Sequence, residues 1–414
     1  MPVSWKKDYN SSQVIKKLEN TRKIENGRVK FEGWEYDAYS TLIYSMLDFS
    51  SDMPEFDARQ IVSKAIFISG TKGPITHNNL LTEICKLERD YQSSPIERYV
   101  LASSISMQQF LKIPRINFSN SLIIFEHSLP KRFSQESNTI ITHAEQTLFA
   151  SLPKDYLKVR AHVSAKSIHH AADQALEILD LTRGVWNWFL NEGHSFRMSF
   201  GGKPKPVNKI ILGPLHTLHK PNGVLAAIDN CWYEPSYLGA IQPFSPNHDE
   251  LEVIIKSLDH VKKVLKNHNY PQFIKSAIIR YTRALDERDW TTSFIKLWSI
   301  LELLTDTARS NYEVTIRRTS FLYKDRDYHH QVLKHLRDYR NSSIHFDKGN
   351  NKMETYLYQI KNYVESLLVF HLNNRYNFRT IEQSAEFLDI SHEEKTLQNQ
   401  IEKLTFARDY LGYK

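Results

Sequence analysis

Cysteine is nearly absent: the 414 residues include only Cys85 and Cys231, far apart in the chain. That excludes a disulfide framework and a cysteine-based metal cluster. No stretch approaches the ~20 apolar residues that span a bilayer, so no membrane partner is expected. The opening Met1-Pro2-Val3-Ser4-Trp5-Lys6 lacks the basic-then-apolar run of a signal peptide, and the expected location is the cytoplasm. There, the sequon Asn341-Ser342-Ser343 has no meaning as a glycosylation acceptor. Glycine is sparse, with 13 residues, and "ISGTKG" lacks the spacing of a phosphate loop. Nothing matches a dinucleotide fingerprint, and the serines of "SSIS" and "NSS" sit in no nucleophile elbow. NTPase, dehydrogenase and serine hydrolase readings therefore have no support.

What is present is an ordinary globular composition, 41% hydrophobic, long enough for two or three domains. The net charge of +7 comes mostly from one region. Residues 271 to 380 hold 18 Lys and Arg against 12 Asp and Glu, so the basic face belongs to the C-terminal third. An anionic partner is suggested.

Hydrophobic spacing divides the chain into three parts. Residues 34–50, 57–68, 78–91 and 95–111 carry helical periodicity, punctuated by Pro54, Pro74 and Pro95. A mainly helical N-terminal region is expected over 1–113. From about 114, "RINFSNSLIIFEHSL", "YLKVRAHVSA" and "NKIILGPLHTL" read as strands, with a long helix between the second and third. They suggest a small α/β module over 114–245 with a sensing or regulatory role. Past the Pro and Asn cluster of "IQPFSPNHDE", residues 250–268, 271–289, 291–307, 310–323, 328–345 and 352–374 read as helices, then a turn at "NNRYNFRT" and a last helix near 391–410. Long helices with short links predict an all-α bundle over 250–414, so the fold class is α+β multidomain.

Histidines offer little chemistry at first sight. His216 and His219 in "HTLH", and the doublets His169-His170 and His329-His330, lack the spacing and carboxylate of a metal helix, and no metal or cofactor is expected. The segment "RDYRNSSIHFD" is different. Arg337 and Arg340 share a helix face, beside a buried side marked by Leu333 and Leu336. Glu302, on the edge of the apolar stripe of an earlier bundle helix, is placed to hold an arginine. On an ideal helix, five residues of about 100° each set His345 about 140° around from Arg340. Either the helix loosens there, or two chains assemble the site across a two-fold axis.

Arg340-Asn341-Ser342-Ser343-Ile344-His345 resembles the R-x4-6-H motif of the HEPN superfamily. The order of "FIKLWSILELLTD", a helix ending in the motif and a long closing helix is similar too, most of all to the ApeA-like HEPN branch of bacterial defence proteins. The resemblance covers about residues 271–380. It implies a dimeric, metal-independent endoribonuclease, a toxin-like or anti-phage effector restrained by its N-terminal part until an unknown trigger acts. Arg340 and His345 would be catalytic, with Asn341 orienting the phosphate or the histidine. Glu302 and Arg337 would support them, and Arg317 and Arg318 would contact the RNA backbone. Asp347 stands where HEPN toxins silenced by nucleotidyltransferases carry a tyrosine, a departure from that mode of control. The alternative is a HEPN bundle that dimerises and binds protein or nucleic acid without cleaving it.

Overall fold

Side-chain caps mark the entrance of several helices. The Thr76 hydroxyl accepts from the Asn79 amide while Asn79 reaches back to the Thr76 N–H, and Asn247 and Glu250 repeat the arrangement ahead of the C-terminal helices. The computed structural model describes residues 3–25, 28–31, 35–49, 53–147, 152–191, 206–227, 231–234, 237, 239, 241–307, 312–343 and 353–413. The N-terminal part holds β1 (Ser4–Trp5), α1 (Ser11–Asn20), β2 (Arg22–Glu25), β3 (Arg28–Phe31), α2 (Glu35–Ser45), β4 (Leu47–Asp48), α3 (Glu55–Lys72) and α4 (His77–Ser93). Ile15, Leu18, Ile43, Val62, Ile66, Leu80 and Ile84 form its own core.

The helix expected over 95–111 is instead a strand, β5 (Glu97–Gln108). After it come β6 (Ile116–Phe118), β7 (Ser121–Glu126), α5 (Lys131–Thr147), β8 (Tyr156–Ala165), α6 (Ile168–Leu190), β9 (Leu215–His219) and β10 (Trp232–Tyr233). They build a sheet in the order β10-β9-β5-β8-β7-β6, with every ladder antiparallel. Because β8 and β9 both run antiparallel to β5, they run parallel to each other, and α6 crosses from one to the other over β5. On β5, Tyr99, Leu101, Ile105 and Met107 join the core beneath α6. Ala102 is paired with Thr217, whose hydroxyl meets Ser137 of α5 on the opposite face. A strand covered on both faces shows no polar alternation, which is why its pattern passed for a helix.

The C-terminal part holds α7 (His248–Lys266), α8 (Pro271–Leu285), α9 (Trp290–Leu304), α10 (Tyr312–Ser320), α11 (Arg326–Ser343), α12 (Met353–Asn373), α13 (Ile381–Leu388) and α14 (Glu394–Tyr410). One continuous core runs from the sheet through α6 into these helices, crossing the boundary expected near 245–250. A polar seam accompanies it. Arg183 of α6, 1% exposed, donates to Asp180 and, through two nitrogens, to Asp286. Arg283 of α8 ties Asp180 to Glu234. The His216 Nε2–H donates to Glu234 at 3.1 Å, leaving Nδ1 to accept from the Ser103 hydroxyl at 2.7 Å. His216 is thus a fully buried, hydrogen-bonded histidine.

At this seam α6 and α8 approach through Gly184, where an added Cβ would lie 2.0 Å from the Thr282 hydroxyl and 3.2 Å from Ile278. On an open helix face Gly→Ala gains about 1 kcal/mol. Here overpacking reverses the sign: Gly184→Ala is expected to lose about 1–3 kcal/mol in urea unfolding. A gain in stability would show that the helices part at no cost.

Candidate active site

Helix α11 places the motif arginine through its two faces. The Asp325 carboxylate accepts from the Tyr328 amide at the start, and Leu333 and Leu336 are fully buried along the inner face. Near the C-terminal end, Tyr339 packs edge-on against Phe294 of α9 at 5.2 Å between centroids and lies tilted against Tyr356 of α12 at 4.8 Å. These contacts fix the last turns of α11 between its neighbours. Arg340 follows directly, and its guanidinium lies 5.0 Å over the ring of Tyr312, the first residue of α10. It also donates to the Tyr312 hydroxyl and, at 3.3 Å, to the Asn341 side-chain oxygen. A planar cation on an aromatic face keeps its charge while losing rotational freedom.

Tyr312 in turn meets Trp298 edge-on at 6.2 Å, and the fully buried Trp298 donates its indole N–H to Glu302 at 2.8 Å. Among the described residues no arginine pairs with the Glu302 side chain, as was expected of it; its contact is with Trp298, four residues earlier on the same helix. Two aromatic rings, Trp298 and Tyr312, stand in line between Glu302 and Arg340. The acid that meets an arginine is Glu313, next to Tyr312: it lies 3.5 Å from Arg337 and accepts from His330 at 2.9 Å. Arg337 also holds Asp338 at 2.8 Å. The first turn of α10 therefore supplies an aromatic plate for Arg340 and a carboxylate for Arg337.

Arg317 and Arg318 are occupied elsewhere. Both bind Asp389 just past α13, Arg318 by two bonds of 2.9 and 2.6 Å, and Arg318 also donates to the backbone oxygen of Thr305 at the end of α9. The paired arginines hold the Asp389 carboxyl below the usual aspartate range: the Arg318 hydrogen bond does most, burial opposes it, and Arg317 adds to the lowering. The Arg318 side chain, 14% exposed, staples α9, α10 and α13 together, while the Arg317 side chain stays 43% exposed.

Of the expected set, Arg337, Arg340 and Asn341 share the last turns of α11, with Asn341 exposed. His345 lies outside the described residues. Among the described residues no group of three His, Cys, Asp or Glu side chains could hold a metal ion. Tyr312 and Glu313 were not anticipated: they stand 28 and 24 residues from their arginine partners, and no spacing rule links them. The only hint was that an arginine at the end of an amphipathic helix needs a plate or an acid on the helix packed beside it.

No family model matches this chain, and no curated protein or solved structure is significantly similar to it.

Proposed function

We propose that the chain is a metal-independent endoribonuclease of the HEPN type, with Arg340 as the phosphate clamp and His345 as the proton-transfer group. The observation that carries this reading is the seating of Arg340 on Tyr312 beside the exposed Asn341, at the edge of the basic C-terminal third. The guanidinium is oriented by the Tyr312 ring and the Asn341 side chain, and a planar cation held in this way can meet phosphate oxygens as charge builds on them.

In the proposed step the RNA 2′-oxygen attacks the adjacent phosphorus and the bond to the 5′-oxygen breaks. A histidine with an ordinary pKa of ~6.5 either removes the 2′-hydroxyl proton or protonates the leaving oxygen. The products are a 2′,3′-cyclic phosphate and a 5′-hydroxyl. The N-terminal part and the sheet act as the regulatory portion of a defence or growth-arrest effector, held until a trigger arrives. The test is RNA cleavage in EDTA by wild type, Arg340→Ala and His345→Ala.

A working dimer is part of the proposal. Helix α14 has no buried residue, and Leu397, Ile401 and Leu404 recur along it at four- and three-residue steps, all exposed. Such a stripe pairs with a second copy at coiled-coil spacing. Leu404→Lys is therefore expected to convert a dimer to a monomer in light scattering without changing the far-UV circular dichroism. A dimer that persists places the contact on another face.

A further inference from the structure

The sheet face covered by α5 encloses a second feature, separate from the nuclease reading and independent of it. Between α5 and the strands lies a cavity of about 330 Å³, at the small end of the ~300–1,000 Å³ typical of ligand sites. Leu129, Ile141 and Leu215 supply apolar wall, Ser104 and Thr217 add hydroxyls, and among the described residues Lys158 of β8 is the one lysine or arginine that lines it.

Lys158 stands between Ser104 on β5 and Glu126 on β7. Glu126 is already taken: Arg160 binds both its oxygens, at 2.9 and 2.5 Å. The Lys158 ammonium has no hydrogen bond or ion pair among the described residues. Burial pushes its ammonium below the usual lysine value, and the charge of Asp155 opposes this only in part. A half-buried cation whose cross-strand acid is committed to another arginine is short of a counter-ion, and such a group costs stability until one is supplied.

We propose that this cavity binds a small organic anion, its carboxylate, sulfonate or phosphate head on Lys158 and its apolar body against Leu129, Ile141 and Leu215. The head makes the charge-assisted hydrogen bonds that the protein leaves unmade. The walls select against a bare inorganic ion. The position, on the far side of the sheet from α6 and its seam with the helices, makes it a ligand site of the sheet itself.

The experiment is fluorescence titration of the full chain with anilinonaphthalene sulfonate, an aromatic body carrying one anionic group, with inorganic phosphate as competitor. Wild type is expected to bind one equivalent. Lys158→Met is expected to weaken binding by about tenfold or more, the loss of one charge-assisted contact, while Lys158→Arg stays within a few-fold. Ile141→Trp, which fills the cavity, is expected to block the probe, with thermal midpoints recorded to show that each variant is folded. Equal affinity in folded Lys158→Met, or several weak sites unaffected by Ile141→Trp, overturns the site. Displacement of the probe by equimolar phosphate overturns the organic-anion assignment.

Discussion

Arg340→Ala is expected to lower metal-independent RNA cleavage by about 10²–10³-fold, the usual cost of removing one group that stabilises developing charge. Its thermal midpoint should stay near wild type, because Leu333, Leu336 and Tyr339 anchor α11 on the buried side and Arg340 is not part of that packing. Arg340→Lys should recover little: an ammonium has neither the planar fork for two phosphate oxygens nor the plate-like contact with Tyr312. Tyr312→Leu should fall between wild type and Arg340→Ala, with the charge present but its direction unguarded. His345→Ala should lose about 10²–10⁴-fold, the range for a general acid or base. Product ends distinguish chemistry from contamination, since this route leaves a cyclic phosphate. An unchanged cut in Arg340→Ala, or no cut from an activated wild type, ends the nuclease reading and favours a bundle that binds without cleaving.

The largest effect on stability is expected from Arg183→Met. Arg183 is 1% exposed and serves two carboxylates, Asp180 at 3% and Asp286 at 18% exposure. Removing the cation leaves Asp180 with Arg283 alone and Asp286 with the amide of Asn208, at 2.8 Å. Breaking a buried ion pair from one side costs about 3–5 kcal/mol, since the remaining charge is stranded in a poorly hydrated place. Urea unfolding of the variant measures this directly. Arg183→Met combined with Asp286→Asn should recover part of the loss, because the stranded charge is then gone while the bond from Asn208 survives. A loss under about 1 kcal/mol in the single variant would mean that water reaches the seam. The seam joins α6 to α8, so its loss should also loosen the sheet from the helices that carry Arg340.

Much of the helical part was legible because its helices are amphipathic and long. The expected spans 250–268, 328–345 and 352–374 match α7 (His248–Lys266), α11 (Arg326–Ser343) and α12 (Met353–Asn373) closely. "YLKVRAHVSA" coincides with β8. What the sequence left illegible has separate causes. Strand β5 lacks alternation because both faces are covered. Helix α5, in "KRFSQESNTIITHAEQT", buries only Phe133, Ser137 and Ala144, too thin a stripe to stand out by period. Arg317 and Arg318 read as a basic patch because charge is visible in sequence, whereas their partner Asp389 lies about 70 residues later.

By itself the sequence determined which segments bury one side and therefore become helices, where charge accumulates, and that disulfides play no part. Those properties depend on residue type and on spacing within a few turns. Tertiary structure alone decided that β5 is the strand over which α6 crosses, that Tyr312 and Glu313 rather than Glu302 meet Arg340 and Arg337 of α11, and that the Lys158 ammonium has no partner among the described residues beside a cavity. Each of these depends on which distant residues meet, and on whether a nearer partner has already been taken.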